Sequence, residues 1–207
     1  MKLRSKTLGN VLTKFLWADI GLTTVLLINI FIAQVVEVSE TFVNYDAIVA
    51  LLLGLNFFVC IVIYLVWLYK VHNDLREMNS SYPITPGGAL RRVMIPFYNL
   101  YGLWNVYSTM ATYFKESGST HEAGKKLAIY TPIYYFLYIV TSSINSFLNM
   151  QSDYNPYSFI WVVTFVGDAV LVISYILIIK VVISGVVKLS EQYWKSEEED
   201  REAMHSI

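Results

Sequence analysis

All fifteen Lys and Arg residues of this chain fall on one side of four long apolar runs. The segments on the other side, 37–46 and 150–157, carry Glu37, Glu40, Asp46 and Asp153 and no basic residue. Short loops that confine Lys and Arg to one side are the charge signature of a chain threaded several times through a bilayer. The pattern predicts an all-α integral membrane bundle with four transmembrane helices at about 15–36, 47–69, 127–148 and 158–179. Both termini and an insert at 70–126 then lie on the basic, cytosolic side, and residues 1–207 form a single membrane domain.

Composition supports that reading. The chain is 56% hydrophobic and only 15% charged, with a mean hydropathy of +0.49; soluble domains are about one quarter charged. Residues 47–69 contain no charged side chain. As a helix they would extend about 35 Å, beyond the ~30 Å of a hydrocarbon core. A basic leader precedes the first run, but that run is too long for a signal peptide and contains Asp19, so it is read as an uncleaved span. Trp17, Trp67, Tyr69, Tyr130, Tyr157 and Trp161 stand near run ends, where amphipathic rings favour the membrane–water boundary. The net charge of −1 argues against a nucleic-acid partner. Cys60, the single cysteine, excludes an intrachain disulfide.

The segment 93–114 is apolar enough to suggest a fifth span, yet crossing there would carry Lys115, Lys125 and Lys126 to the acidic side. Val93, Phe97, Leu100, Trp104, Tyr107, Ala111 and Phe114 recur at three- and four-residue steps, with Asn99, Asn105, Ser108, Thr109 and Thr112 elsewhere on the wheel. That spacing predicts an amphipathic helix, interfacial or re-entrant. Ahead of it, Pro83, Pro86, Gly87 and Gly88 read as a rigid turn. Pro132 is expected to kink the third span. Residues 181–207 continue the fourth helix into a solvated, acidic tail.

Chemistry-bearing motifs for nucleotide, metal or acyl-transfer sites are missing, and His72, His121 and His205 lack ligand spacing. No cofactor and no catalytic residue is expected. The informative residues are polar groups at membrane depth. Asp168 is central in its span, where an ionised carboxylate costs about 2.5–3.5 kcal/mol. It must face protein or water, or carry a proton. Asn29, Asn56, Ser142, Ser143 and Asn145 in the other spans are expected to form one polar layer around it, either as an interhelical hydrogen-bond clamp or as a proton- or ion-handling site or pore-lining ring. Asp19 is expected to pair with Lys14 or water, leaving Asp168 without a second carboxylate at its depth. On the cytosolic side, His72, Asn73, Arg91, Arg92 and Trp104 form a candidate lipid or partner site, with the two arginines drawn to anionic phosphates.

The order Trp67-Leu68-Tyr69-Lys70, His72-Asn73 with Leu75, Tyr82, Pro86-Gly87, then Ile95-Pro96-Phe97 with Asn99-Leu100-Tyr101 resembles the signature block of a bacterial membrane family, domain of unknown function 4328. The chain departs from that block at Leu90-Arg91-Arg92-Val93, where aromatic residues are usual, and at Gly102, where a proline is usual. The resemblance implies a multi-pass protein of a bacterial cytoplasmic membrane and no established activity. The expectation is a non-enzymatic, self-associating channel-like or scaffold component that meets anionic lipids at the inner face. The alternative is a small proton- or ion-coupled transporter built on Asp168.

Overall fold

The computed structural model describes residues 3–95, 98–150 and 157–205. Six α-helices follow in order: α1 (Arg4–Val35), α2 (Glu40–Met78), α3 (Pro86–Met94), α4 (Tyr98–Glu116), α5 (His121–Asn149) and α6 (Ile160–His205), with a 3-10 turn at Gly118–Thr120 before α5. No strand occurs among the described residues. α1, α2, α5 and α6 are long and apolar enough to cross a membrane, and α4 is not among them. Helices suit such runs because hydrocarbon offers the backbone no partner outside its own ladder. α2 and α6, at 39 and 46 residues, are about 58 and 69 Å long and overrun any bilayer.

The chain divides into two compact units. One, here the basic unit, comprises Met1–Asn10, Tyr64–Pro132 and Leu177–Ile207; the other, the span unit, comprises Val11–Ile63 and Ile133–Ile176. Every described Lys and Arg except Lys14 belongs to the basic unit.

The basic unit has the interior of a water-soluble protein. Trp67, Leu68 and Leu75 of α2, Val106, Tyr107, Met110 and Phe114 of α4, and Ile178, Ile179 and Val182 of α6 are fully buried. Each such side chain contributes about 1.5–3 kcal/mol when taken from water. Phe114 lies directly against Gly185 of α6, where a Cβ would overlap its ring. α3 and α4 close in the same way at Gly102, whose missing side chain admits the Arg92 carbonyl.

The span unit is built inside out. Leu51, Leu55, Phe57 and Phe58 of α2, and Phe136 and Phe147 of α5, are largely exposed. Lipid is as apolar as such side chains, so packing and polar contacts hold helices together here rather than apolar burial.

Three local expectations are corrected. Residues 93–114 are not one helix: α3 ends at Met94, Ile95 is extended (φ −79°, ψ 121°), and α4 starts at Tyr98. Ile95 precedes Pro96, and a residue before proline is pushed out of the helical region. Nor is the apolar stripe of α4 open to an interface. Leu103, Val106, Tyr107, Met110, Ala111 and Phe114 are buried inside the basic unit, and Trp104 sits off that stripe at 37% exposure. Phe97 and the side chain of Leu100, also expected on the stripe, lie outside the described residues. The Pro86-Gly87-Gly88 turn is instead the first turn of α3. Thr85 caps it by accepting from the Gly88 N–H at 3.0 Å, and Pro86 takes the first helical position, where no N–H is required. α5 runs through Pro132 as one helix.

Candidate functional site

Three Asn–Asp pairs cross between helices in the span unit. The Asn29 amide donates to Asp46 Oδ1 at 2.7 Å, the Asn56 amide to Asp19 Oδ1 at 3.1 Å, and the Asn145 amide to Asp168 Oδ1 at 3.3 Å. The first two tie α1 to α2 and the third ties α5 to α6. A single polar layer around Asp168 is therefore not what forms: of the expected members only Asn145 bonds it. Ser142 is exposed, and Ser143 turns back to the Ile139 carbonyl at 2.8 Å.

Asp19 is the residue that sequence reasoning placed wrongly. It bonds Asn56 rather than Lys14. On their helices both carboxylates stand eight residues inside the span unit, counting from 11 to 19 and from 176 to 168, which is about 12 Å of helix at 1.5 Å per residue. Asn56 also reaches the Phe15 carbonyl at 3.2 Å and lies 3.9 Å from the Cys60 sulfur. The available signal was Asp19 itself, an acid inside an apolar run.

In the basic unit the cytosolic candidates separate. Asn73 bonds Glu77 at 2.6 Å along the exposed face of α2. Arg91 is exposed. Trp104 borders a cavity of about 200 Å³ between α4 and α5, with Ser108, Thr112, Lys115 and Pro132 also on its wall. His72 and Arg92 instead both carry buried polar atoms inside the basic unit. The His72 ring is fully buried and stacks on Tyr82 with centroids 5.5 Å apart, and Tyr82 meets the edge of Tyr113 at 4.9 Å. The Arg92 charge acts on both His72 and Tyr82. Both His72 nitrogens, Tyr82 Oη and Arg92 Nη1 are buried without a hydrogen-bond partner. Burial, Tyr113 and, in opposition, Arg92 set the Tyr82 hydroxyl, with the net effect well above the ordinary phenol range. It stays protonated and available as a donor. Tyr82 and Tyr113 were not singled out as site residues; aromatic side chains ten and forty-one positions beyond a histidine carry no local spacing signal.

Among the described residues no three His, Cys, Asp or Glu side chains gather as a metal site would require. No protein-family model, curated protein or solved structure matches this chain.

Proposed function

We propose that the chain is a multi-pass protein of a bacterial cytoplasmic membrane that moves protons or a small monovalent cation by way of Asp19 and Asp168. The observation that carries this reading is two carboxylates on apolar helices of the span unit, each held by one Asn of another helix. An ionised carboxylate in a poorly hydrated site is costly, so each favours a proton or a bound cation. Lys14 is the only basic residue in that unit and bonds neither. The bacterial setting rests on the resemblance of the 67–101 block, and the inward placement of both termini rests on the charge asymmetry. Membrane polar groups of this kind mark ion and proton pathways.

Proteoliposomes of the purified chain, loaded with a pH-sensitive dye and given a Na⁺ or K⁺ gradient, test the proposal. The wild type should pass protons or cation, and Asp19→Asn and Asp168→Asn should each abolish the flux while eluting as folded protein. An amide still donates and accepts, so a purely structural clamp would survive both changes with flux unaltered. If the wild type passes no ion, the reading is lost and a self-associating scaffold stands in its place.

A further inference from the structure

A second polar cluster, apart from the carboxylate pair, lies in the basic unit. His72, Tyr82 and Arg92 hold buried polar atoms with no partner among the described residues: Nδ1 and Nε2, Oη, and Nη1. Chance accounts poorly for such a set, since more than nine in ten buried polar groups find a partner. The chemistry of the set is one-sided. A guanidinium only donates, the Tyr82 hydroxyl is protonated, and a neutral imidazole has one N–H. The set thus offers three donors, one of them on a fixed positive charge, against the lone pair of the second imidazole nitrogen. Among the described residues no carboxylate is hydrogen-bonded or ion-paired to Arg92, although acidic side chains are plentiful on the chain. Arg92 itself is only half-buried, although its Nη1 is buried.

The positions are built, not incidental. Thr85 caps α3 and so fixes where the helix carrying Arg92 begins. Gly102 lets α4 close on the Arg92 backbone, where any Cβ would overlap it. Tyr113 of α4 wedges its edge against Tyr82, which lies flat on His72. The nearby cavity of about 380 Å³, which Tyr113 also borders, has Glu116 on its wall and Gln192 satisfied by Ser117 and Ser119. It offers an anion nothing that the His72 cluster does.

We propose that His72, Tyr82 and Arg92 form a binding site for a phosphate oxyanion, supplied either by an anionic lipid headgroup or by free phosphate. Arg92 contributes the charge, and Tyr82 and one His72 nitrogen donate. The ligand orders α3 against α4 and the end of α2, which makes it a stabiliser of the basic unit independent of ion movement through the span unit.

The test uses the full chain in nanodiscs, with thermal unfolding and native mass spectrometry as readouts. Three preparations are compared at equal ionic strength: phosphatidylcholine in chloride, phosphatidylcholine with inorganic phosphate, and phosphatidylglycerol in chloride. The variants are Arg92→Gln, Tyr82→Phe and, as control, Arg91→Gln, whose side chain is exposed. Wild type and Arg91→Gln should unfold at higher temperature than in zwitterionic phosphatidylcholine in at least one of the two preparations that supply a net-anionic phosphate. Arg92→Gln should lose that gain and bind tenfold or more weakly, as expected for a charge-assisted contact. Tyr82→Phe keeps the ring stack and should weaken binding less. A gain with inorganic phosphate alone identifies a free oxyanion; a gain with phosphatidylglycerol alone, with the lipid retained in the mass spectrum, identifies a headgroup. No gain in either, or a gain that Arg92→Gln and Tyr82→Phe both keep, overturns the proposal.

Discussion

His72 shows how one residue's surroundings set a measurable property of the whole unit. It lies beyond the apolar part of α2, in the basic unit, with neither nitrogen partnered. Burial first, and the Arg92 charge second, lower its pKa from 6.5 to about 3. The unfolded chain takes up a proton on His72 below about pH 6.5, while the folded chain resists until about pH 3. Stability is therefore complete above pH 6.5 and declines as pH falls from there toward 3. His72→Gln should flatten that decline when unfolding is followed in phosphate-free buffer at pH 7.5 and 4.5; an unchanged slope would assign it to another group. Gly185 is a second residue whose role is legible only in three dimensions. Gly185→Ala would drive a methyl into the Phe114 ring, and overpacking of this kind costs about 1–3 kcal/mol. Gly87, with open space around it, should accept alanine without loss. Comparison of the two variants' unfolding temperatures checks both statements.

At the scale of elements, the four apolar runs could be read from the sequence because length and apolarity suffice to identify a span. Their inner ends could not. Residues 64–69 and 177–179 are as apolar as the runs they continue, yet Trp67, Leu68, Ile178 and Ile179 are buried in protein within the basic unit. Hydropathy does not distinguish a lipid tail from a packed neighbour. For the same reason Asp19 and Asn56 seemed to lie at different depths: counted from the ends of the apolar runs they are far apart, and counted from the edges of the span unit they are level. The helical spacing of 93–114 was legible, but its register was not, since Trp104 and Tyr101 compete with Leu103 and Val106 for the buried face. Thr85-Pro86 held a readable start signal for α3 that the following glycines obscured, because Gly-Gly more often marks a turn. The cap supplies a prediction at this scale. Thr85→Ala leaves the Gly88 N–H without its acceptor and should lower stability by about 1 kcal/mol. Thr85→Ser should restore it, as read by denaturant unfolding of the detergent-solubilised chain.

On the scale of the molecule, two kinds of interior share four helices. α1 and α2 contribute 25 and 24 residues to the span unit and α5 and α6 contribute 17 each, which is about 36–38 Å and 26 Å of helix. These lengths bracket a hydrocarbon core of ~30 Å. The remainder of each helix is committed to a unit with a conventional buried core and nearly all of the described basic residues. Moving that unit across a bilayer would mean carrying its Lys and Arg residues with it, and short basic segments resist translocation. The charge asymmetry therefore predicts one topology. In a Cys60→Ala background, a membrane-impermeant thiol reagent applied to intact cells should label Ser39→Cys, in the segment joining α1 to α2. It should leave Ser80→Cys and Ser196→Cys unlabelled until the cells are opened. All three positions are exposed, so access to the side chain does not decide the outcome; the membrane does. Labelling of Ser80→Cys in intact cells would put the basic unit outside, and with it the proposed inner-face source of phosphate lipid for His72, Tyr82 and Arg92.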